Sequence, residues 1–220
     1  MKKVNFRSMS VAECNGFSMT TALKELKRSD PELIPLLDGF NIPDLKVETN
    51  YFQALVRSII YQQLSGKAAQ AIADRFKNLF GKTDFPDPHE VVMKDHQTLR
   101  SAGLSNSKTT YIHNLAHAFL DDTIDHGNLG SMSNSEILDQ LTSVKGVGPW
   151  TAQMFLMLTL ARPDIFPTND LGIQKGYQKF YRLSDLPKSV HMEARSQSWK
   201  PYRTVVSLYF WRLVEDPFIW

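Results

Sequence analysis

Apolar residues recur along this chain at intervals of three and four. Phe52, Leu55, Val56, Ile59 and Ile60 fall on one face of a helix. Ala68, Ala69, Ile72, Ala73, Phe76, Leu79 and Phe80 repeat the pattern, and Gly81 supplies a stop. The spacing predicts a further helix over 105–119, with Ile112, Leu115, Ala116 and Phe119 on one side. Asp30-Pro31 and Asp87-Pro88 each set an N-cap residue before a proline in the first turn. Ser133-Asn134-Ser135-Glu136 reads as a capping box. Strand-like alternation is scarce, and no repeat or low-complexity tract interrupts the pattern. The expectation is an all-α fold of roughly ten helices with short connections. Arg162-Pro163-Asp164-Ile165-Phe166-Pro167 breaks the helical pattern with two prolines. A cleft is expected there, between a bundle before it and a lobe after it.

Composition adds mostly exclusions. The 220 residues carry a net charge of +2, which neither demands nor forbids a nucleic-acid partner. A single cysteine, Cys14, excludes an internal disulfide and a four-cysteine zinc or iron–sulfur site. No apolar run reaches the ~18–20 residues of a membrane span. The first residues lack the apolar core of a secretory signal, so 1–17 read as a loose arm and the chain as intracellular. His113 and His117 are spaced as metal ligands can be, but without a third ligand they read as an exposed helix face.

The densest chemistry lies in 141–170. Leu141, Val144 and Val147 anchor a turn built on Gly146 and Gly148, and a helix opens at Pro149 or Trp150. Glycines let a backbone approach a ligand closely, and a turn feeding a helix N-terminus gathers free N–H groups that can hold a phosphate. Glycine spacing alone would equally suit a plain helix–turn–helix connection. Asp170 follows Pro167-Thr168-Asn169. Standing alone, such an aspartate is most often a helix cap. In a cleft it can stabilise an oxocarbenium-like sugar cation or orient water, as carboxylates do in glycoside hydrolysis.

The run Leu-x-x-Val-x-Gly-Val-Gly-x-x-Thr-Ala resembles the helix-hairpin-helix of base-excision DNA glycosylases. Gly-Val-Gly-Pro-Trp-Thr-Ala, Phe-Pro-Thr-Asn-Asp and Trp199-Lys200-Pro201-Tyr202-Arg203 with Trp211 resemble its alkylpurine branch, the 3-methyladenine glycosylases of bacteria (AlkA type) and yeasts. So do Ile59-Ile60-Tyr61-Gln62-Gln63-Leu64-Ser65 with Lys67-Ala68-Ala69, and Gly103-Leu104-Ser105 with Lys108. The similarity runs from about 45 to 215, without room for the extra N-terminal β-domain of the AlkA type, as in the compact yeast-like form. It implies two helical lobes with the active cleft between them: 18–45 plus 162–220, and 46–161, the latter holding the helix-hairpin-helix at about 134–160.

The resemblance also implies roles. Asp170 falls on the catalytic aspartate. Trp150 and Trp211 fall on pocket positions, where electron-rich rings would attract a cationic alkylated purine. Met154 and Leu171 stand where the AlkA type has tyrosines, which predicts a less aromatic pocket. Gln63 falls on the wedge that fills the hole left by a flipped base, with Leu64 the next candidate and Ser65 nearby in the minor groove; Gln62 and Gln63 could also simply end their helix. Lys108, Gly146, Val147, Gly148 and Thr151 are the further expected DNA contacts. The carbonyls of Thr142, Val144 and Val147 could hold Na⁺ or K⁺; no other cofactor is expected. Trp150 stands where bifunctional relatives carry a nucleophilic lysine. An indole cannot form a Schiff base, so a monofunctional glycosylase without lyase activity is expected. Lys175, Lys179, Arg182, Lys200 and Arg203 could face phosphates, though solvated surface is the commoner fate. The expected partner is double-stranded DNA with alkylated bases or abasic sites, bound by a monomer in the nucleus or, in a bacterium, the cytoplasm. The alternative is a relative that binds and sculpts damaged DNA with little base excision.

Overall fold

The structure is a computed structural model, and it describes residues 17–64, 66–81 and 84–214. The expected arm over 1–17, apart from Phe17, lies outside the described residues, as do Cys14 and Ser65. Among the described residues there are twelve α-helices and no strand. They are α1 Met19–Ser29, α2 Ile34–Leu37, α3 Tyr51–Tyr61, α4 Gly66–Asn78, α5 Pro88–Val92, α6 His96–Ser101, α7 Asn106–Leu120, α8 Asn134–Thr142, α9 Pro149–Met154, α10 Leu171–Tyr181, α11 Ser189–Arg195 and α12 Arg203–Val214.

Most starts are set locally. Asp87 and Ser133 close full capping boxes with Glu90 and Glu136. Asn50 and Asp95 accept from the third residue of their helices at 3.0 and 2.8 Å. Such caps contribute about 1 kcal/mol each. None of the longer helices is held by its cap alone; their apolar faces meet in a core whose largest fully buried side chains include Phe76, Phe155, Trp199, Tyr209 and Phe210.

Two groups of helices share that core. α3 packs against α4, α7 and α9, α7 against α5 and α6, and α8 against α9. α12 packs against α1, α2 and α10. The α10–α12 approach is close enough that a Cβ at Gly176 would lie 2.1 Å from the Phe210 carbonyl oxygen, which only glycine permits.

The segment between the groups is stitched in place rather than loose. α9 runs into a π-helical turn, Phe155–Thr159, whose Thr159 carbonyl accepts from Glu48 N–H at 2.9 Å. Arg162 then donates to the carbonyls of Gly130 and Met132 at 3.0 and 2.9 Å. Thr204 donates to the Arg162 carbonyl at 2.6 Å and accepts from Ile165 N–H at 3.0 Å. This path delivers the chain to Asp170.

Asp30 corrects the sequence reading. Its side chain caps nothing, although the 3₁₀ turn Pro31–Leu33 does start there. Instead it is 5% exposed and accepts from Trp199 Nε1 at 2.6 Å and pairs with Arg195 at 2.5 Å. Arg195 also bonds Glu32 at 2.9 Å and lies over the rings of Tyr181 and Trp199. A charged partner far along the chain outbids the local cap. His113 is a second correction: it is half-buried, and its Nε2 has no partner among the described residues.

Burial acts to raise the pKa of Asp30, but the Arg195 and Trp199 hydrogen bonds outweigh it and hold the carboxyl below its ordinary 3.8. The folded value is depressed, so the stabilisation is complete above the unfolded value and is lost as pH falls from there through the folded one. Asp30→Asn should cost about 2–4 kcal/mol at neutral pH, because Arg195 loses its most buried partner. It should also flatten the acid limb below about pH 4. Urea unfolding of both proteins between pH 3 and 7 checks both; parallel pH profiles would refute the assignment.

Candidate functional site

The site is assembled by one carboxylate. Asp170 is the N-cap of α10, and its Oδ1 accepts from Ile173 N–H at 2.8 Å. Oδ1 also accepts from Trp211 Nε1 of α12 at 2.8 Å. Oδ2 accepts from Trp150 Nε1 of α9 at 2.7 Å. The cap and the site aspartate are therefore the same group. An ionised carboxylate offers about four acceptor sites. Three are taken, and the remaining one is on Oδ2.

The loop before Asp170 is held from two sides. Gln174 donates to the Thr168 carbonyl at 2.8 Å. The Ser189 hydroxyl lies 2.6 Å from Asn169 Oδ1 and 3.3 Å from the same Thr168 carbonyl. Gly172 makes the indole approach possible, since a Cβ there would lie 2.8 Å from Trp211 Cδ1 and 3.1 Å from Asp170 Oδ1.

The structure brings Trp150 and Trp211 to Asp170 as hydrogen-bond donors, a role that reading them as rings alone does not anticipate. Trp150 is half-buried and Trp211 buried. Leu171 is 52% exposed beside the acid. Met154 is fully buried, so in this conformation it presents no surface to a base.

The hairpin joins α8 to α9. Gly146 has φ +109°, and a Cβ there would sit 2.2 Å from Tyr111 Cγ on α7. The Lys145 carbonyl accepts from Asn114 of α7 at 3.1 Å. The Gly146 carbonyl accepts from Gln62 Nε2 at 3.2 Å. With its carbonyls engaged from behind, the turn keeps N–H groups free: those of Gly146, Gly148, Trp150 and Thr151 donate to no acceptor among the described residues. Pro149 at the first helical position removes no needed donor. Four free N–H groups at a helix N-terminus suit an anion.

Other expected contacts have partners within the protein. Val147 is a buried anchor whose N–H is spent on the Val144 carbonyl at 3.0 Å. The Thr151 hydroxyl is buried and accepts from Gln62 at 2.9 Å, which leaves only its N–H for a ligand. Lys108 does not reach outward: its ammonium donates to the carbonyls of Ile60 and Gln62 at 2.8 and 2.7 Å. Those carbonyls end α3 and lack helical partners, so an ammonium meets their need and the negative end of the helix dipole. Burial lowers the pKa of Lys108 from its ordinary 10.5. Arg203 is spent on Asp164 and Glu193, and Lys179 on the Leu213 carbonyl.

Gln63 and Leu64 follow α3 in an exposed turn. Gln63 has φ +58°, and Leu64 is 39% exposed. An uncommon backbone conformation thus lifts a polar and an apolar side chain off the surface. A recess of about 710 Å³, lined by Asn50, Phe52, His89, Phe119 and His126, lies at the other end of α3 and is no part of this site. Sequence reading passed over Gln62, Gly172, Gln174 and Ser189; for Gln62 the only signal was its place beside the wedge.

A turn with free N–H groups, a raised pair of side chains and a carboxylate with one open acceptor site make up the candidate site. A family model described as the HhH-GPD superfamily base excision DNA repair protein matches residues 56–201, so this chain belongs to that superfamily. It is 34% identical over 162 residues to DNA-3-methyladenine glycosylase 1 of Schizosaccharomyces pombe, covering 73% of this chain and 71% of that protein. It is 33% identical to a DNA-3-methyladenine glycosylase of Saccharomyces cerevisiae, covering 87% and 78%. A solved S. pombe 3-methyladenine DNA glycosylase in complex with abasic DNA matches with TM-score 0.81 and 31% identity, over 87% of this chain and 95% of that one.

Gly172→Ala tests the dependence of the cradle on a missing methyl group. The added Cβ should push the Trp211 indole off Oδ1 at a folding cost of about 1–3 kcal/mol. Tryptophan fluorescence should shift, and the reaction dependent on Asp170 should slow by about tenfold or more. An unchanged emission spectrum and rate would show that the geometry tolerates the methyl group.

Proposed function

We propose that this protein is a monofunctional DNA glycosylase that hydrolyses the N-glycosidic bond of N3- and N7-alkylated purines, such as 3-methyladenine and 7-methylguanine, leaving an abasic site. The observation that carries this reading is the Asp170 carboxylate, fixed by three N–H donors with one acceptor site open on Oδ2.

The steps follow from the groups present. The four free N–H groups of the hairpin hold a phosphate of double-stranded DNA, which positions the duplex without reading sequence. Gln63 and Leu64 enter the gap as the lesion swings out. Alkylation at N3 or N7 leaves the purine cationic and its bond to C1′ weakened, so the base is already a good leaving group. What the protein must add is stabilisation of the sugar cation and a placed water. The open side of Oδ2 serves both needs: it is a negative oxygen toward C1′, and it accepts a hydrogen bond from the attacking water. The carboxylate is already oriented, so little reorganisation is needed when charge develops. The purine departs with the bonding electron pair, water adds its oxygen to C1′, and the water's proton leaves by way of the carboxylate.

Hydrolysis without strand cleavage is supported by Trp150, whose indole stands against Asp170 where a lyase needs an amine. The carbonyls of Thr142, Val144 and Val147 suit a monovalent cation such as Na⁺ or K⁺, which would neutralise charge at the turn. Val144 keeps a lone pair beyond its bond to Val147 N–H. Among the described residues, no helix is long and apolar enough to cross a membrane. An intracellular monomer acting on chromosomal DNA, nuclear or cytoplasmic by host, completes the reading.

The test is release of 3-methyladenine and 7-methylguanine from alkylated duplex. Asp170→Asn should retain affinity for an abasic duplex and lose about 10²-fold or more in single-turnover rate. Borohydride should trap no covalent enzyme–DNA adduct with the wild type. Equal rates for the two proteins would overturn the role of Asp170, and a trapped adduct would overturn the hydrolytic mechanism. Tight abasic-site binding with no base release by wild type would replace excision with lesion binding.

A further inference from the structure

Gln62 sits between the two parts that must act together on DNA. It is the last residue before the wedge turn, with φ −49° and ψ 124°, and Gln63 follows at φ +58°. Its side chain runs away from that turn to the hairpin, donating to the Gly146 carbonyl at 3.2 Å and to Thr151 Oγ1 at 2.9 Å. Both protons of its amide nitrogen are used, and both acceptors belong to the turn whose N–H groups are free for a phosphate.

The backbone of Gln62 is held as firmly as its side chain. Lys108 donates to the Gln62 and Ile60 carbonyls. Lys108 lies on α7, the helix that also carries Tyr111, packed against Gly146, and Asn114, bonded to the Lys145 carbonyl. Positions 108, 111 and 114 are spaced by three, so one strip of α7 backs the end of α3 and the hairpin alike. Wedge and grip thus share one support, and Gln62 is the direct strut between them. A lysine whose ammonium has moved from solvent to two carbonyls marks this as a built arrangement, because its burial must be compensated by those bonds.

We propose that Gln62, seated by Lys108, is a positioning residue that fixes the wedge turn at one height above the phosphate-holding hairpin, so that gripping the backbone sets the depth to which Gln63 and Leu64 enter the base stack. The inference rests on the reading of this site as a base-flipping glycosylase. It assigns Gln62 no contact with the reacting atoms. Its effect is on extrusion of a base, not on bond cleavage or on the grip itself.

The consequence is a selective defect. Without the strut, the hairpin still holds phosphate and Asp170 still faces C1′, but insertion of the wedge is less well directed. Lesions that are costly to extrude should suffer and lesions that are easy to extrude should not.

The experiment compares wild type with Gln62→Met, which keeps the length of the side chain and removes both donors, and with Lys108→Met, which removes the seat. Thermal melting verifies that each is folded. Two readouts are used: 2-aminopurine fluorescence beside a tetrahydrofuran abasic-site analogue, which reports insertion with no excision required, and single-turnover release of 7-methylguanine paired with cytosine or placed opposite an abasic site. Both variants should bind undamaged duplex within about twofold of wild type. Both should lose about tenfold in insertion rate and in excision from the paired lesion, as expected for two missing hydrogen bonds. Excision opposite the abasic site should recover to within about threefold, because there extrusion costs little. Equal losses on both lesions, or an unchanged insertion rate, would overturn the proposal. If wild type excises nothing, the function reading falls, and the fluorescence arm still decides whether Gln62 directs insertion.

Discussion

The architecture of the site depends on the acceptor capacity of one carboxylate. Asp170 caps α10 and receives the indole N–H groups of α9 and α12. Three elements, distant in sequence, are thereby brought to a single point. Each contact also limits the others: Oδ1 is filled by a backbone and an indole donor, so the one open acceptor site can only be on Oδ2. Gly172 belongs to the same constraint, since the indole reaches Oδ1 across the space a methyl group would fill. The geometry follows from donor counting and van der Waals contact, and both are fixed before any ligand arrives.

Grip and acid lie on one continuous piece of chain. The hairpin ends at Gly148, and α9 with its π-helical turn runs eleven residues to Thr159. The following segment could have been a flexible linker with its two prolines. Arg162, Thr204 and the Thr159 carbonyl tie it down instead. Hence the hairpin stands in a fixed relation to the carboxylate, bridged directly by Trp150, which lies in the first turn of α9, two residues after Gly148, and donates to Asp170 Oδ2.

What was legible in the sequence was what local rules govern. The N-cap at Asp87 and the capping box at Ser133 lie where the sequence puts them, and the faces of α3 and α7 follow apolar periodicity. The short α2, α5 and α6 carry no apolar period, and of these α5 is legible only through its Asp87-Pro88 start. The turn start at Asp30 was legible, but its side-chain partners, Arg195 and Trp199, were not, because they are far away in sequence. The bonds of Lys108 are illegible for a different reason: its acceptors are backbone carbonyls, which no side-chain pattern reveals. The sequence offers the tryptophans as ring faces. Their N–H edges became legible only when Asp170 stood between them. Gly172 carries no signal in the sequence; its part shows only with Trp211 in place beside it.

The choice of indoles to hold Asp170 has a chemical consequence. A lysine or arginine in either place would orient the carboxylate as well, but would cancel its charge and weaken its attraction for a sugar cation. Among the described residues, no cationic side chain pairs with Asp170. A serine or tyrosine hydroxyl would donate, yet also accept, and so compete with the carboxylate for the attacking water. An indole N–H only donates, is neutral, and cannot act as a nucleophile. Two of them fix the direction of the carboxylate and leave its charge and its open lone pair for the reaction. The same residue type can present a π face to a cationic purine. The indoles thus bring two things to Asp170, a ring beside it and an N–H edge that fixes the carboxylate. An exchange to phenylalanine would keep the first and remove the second.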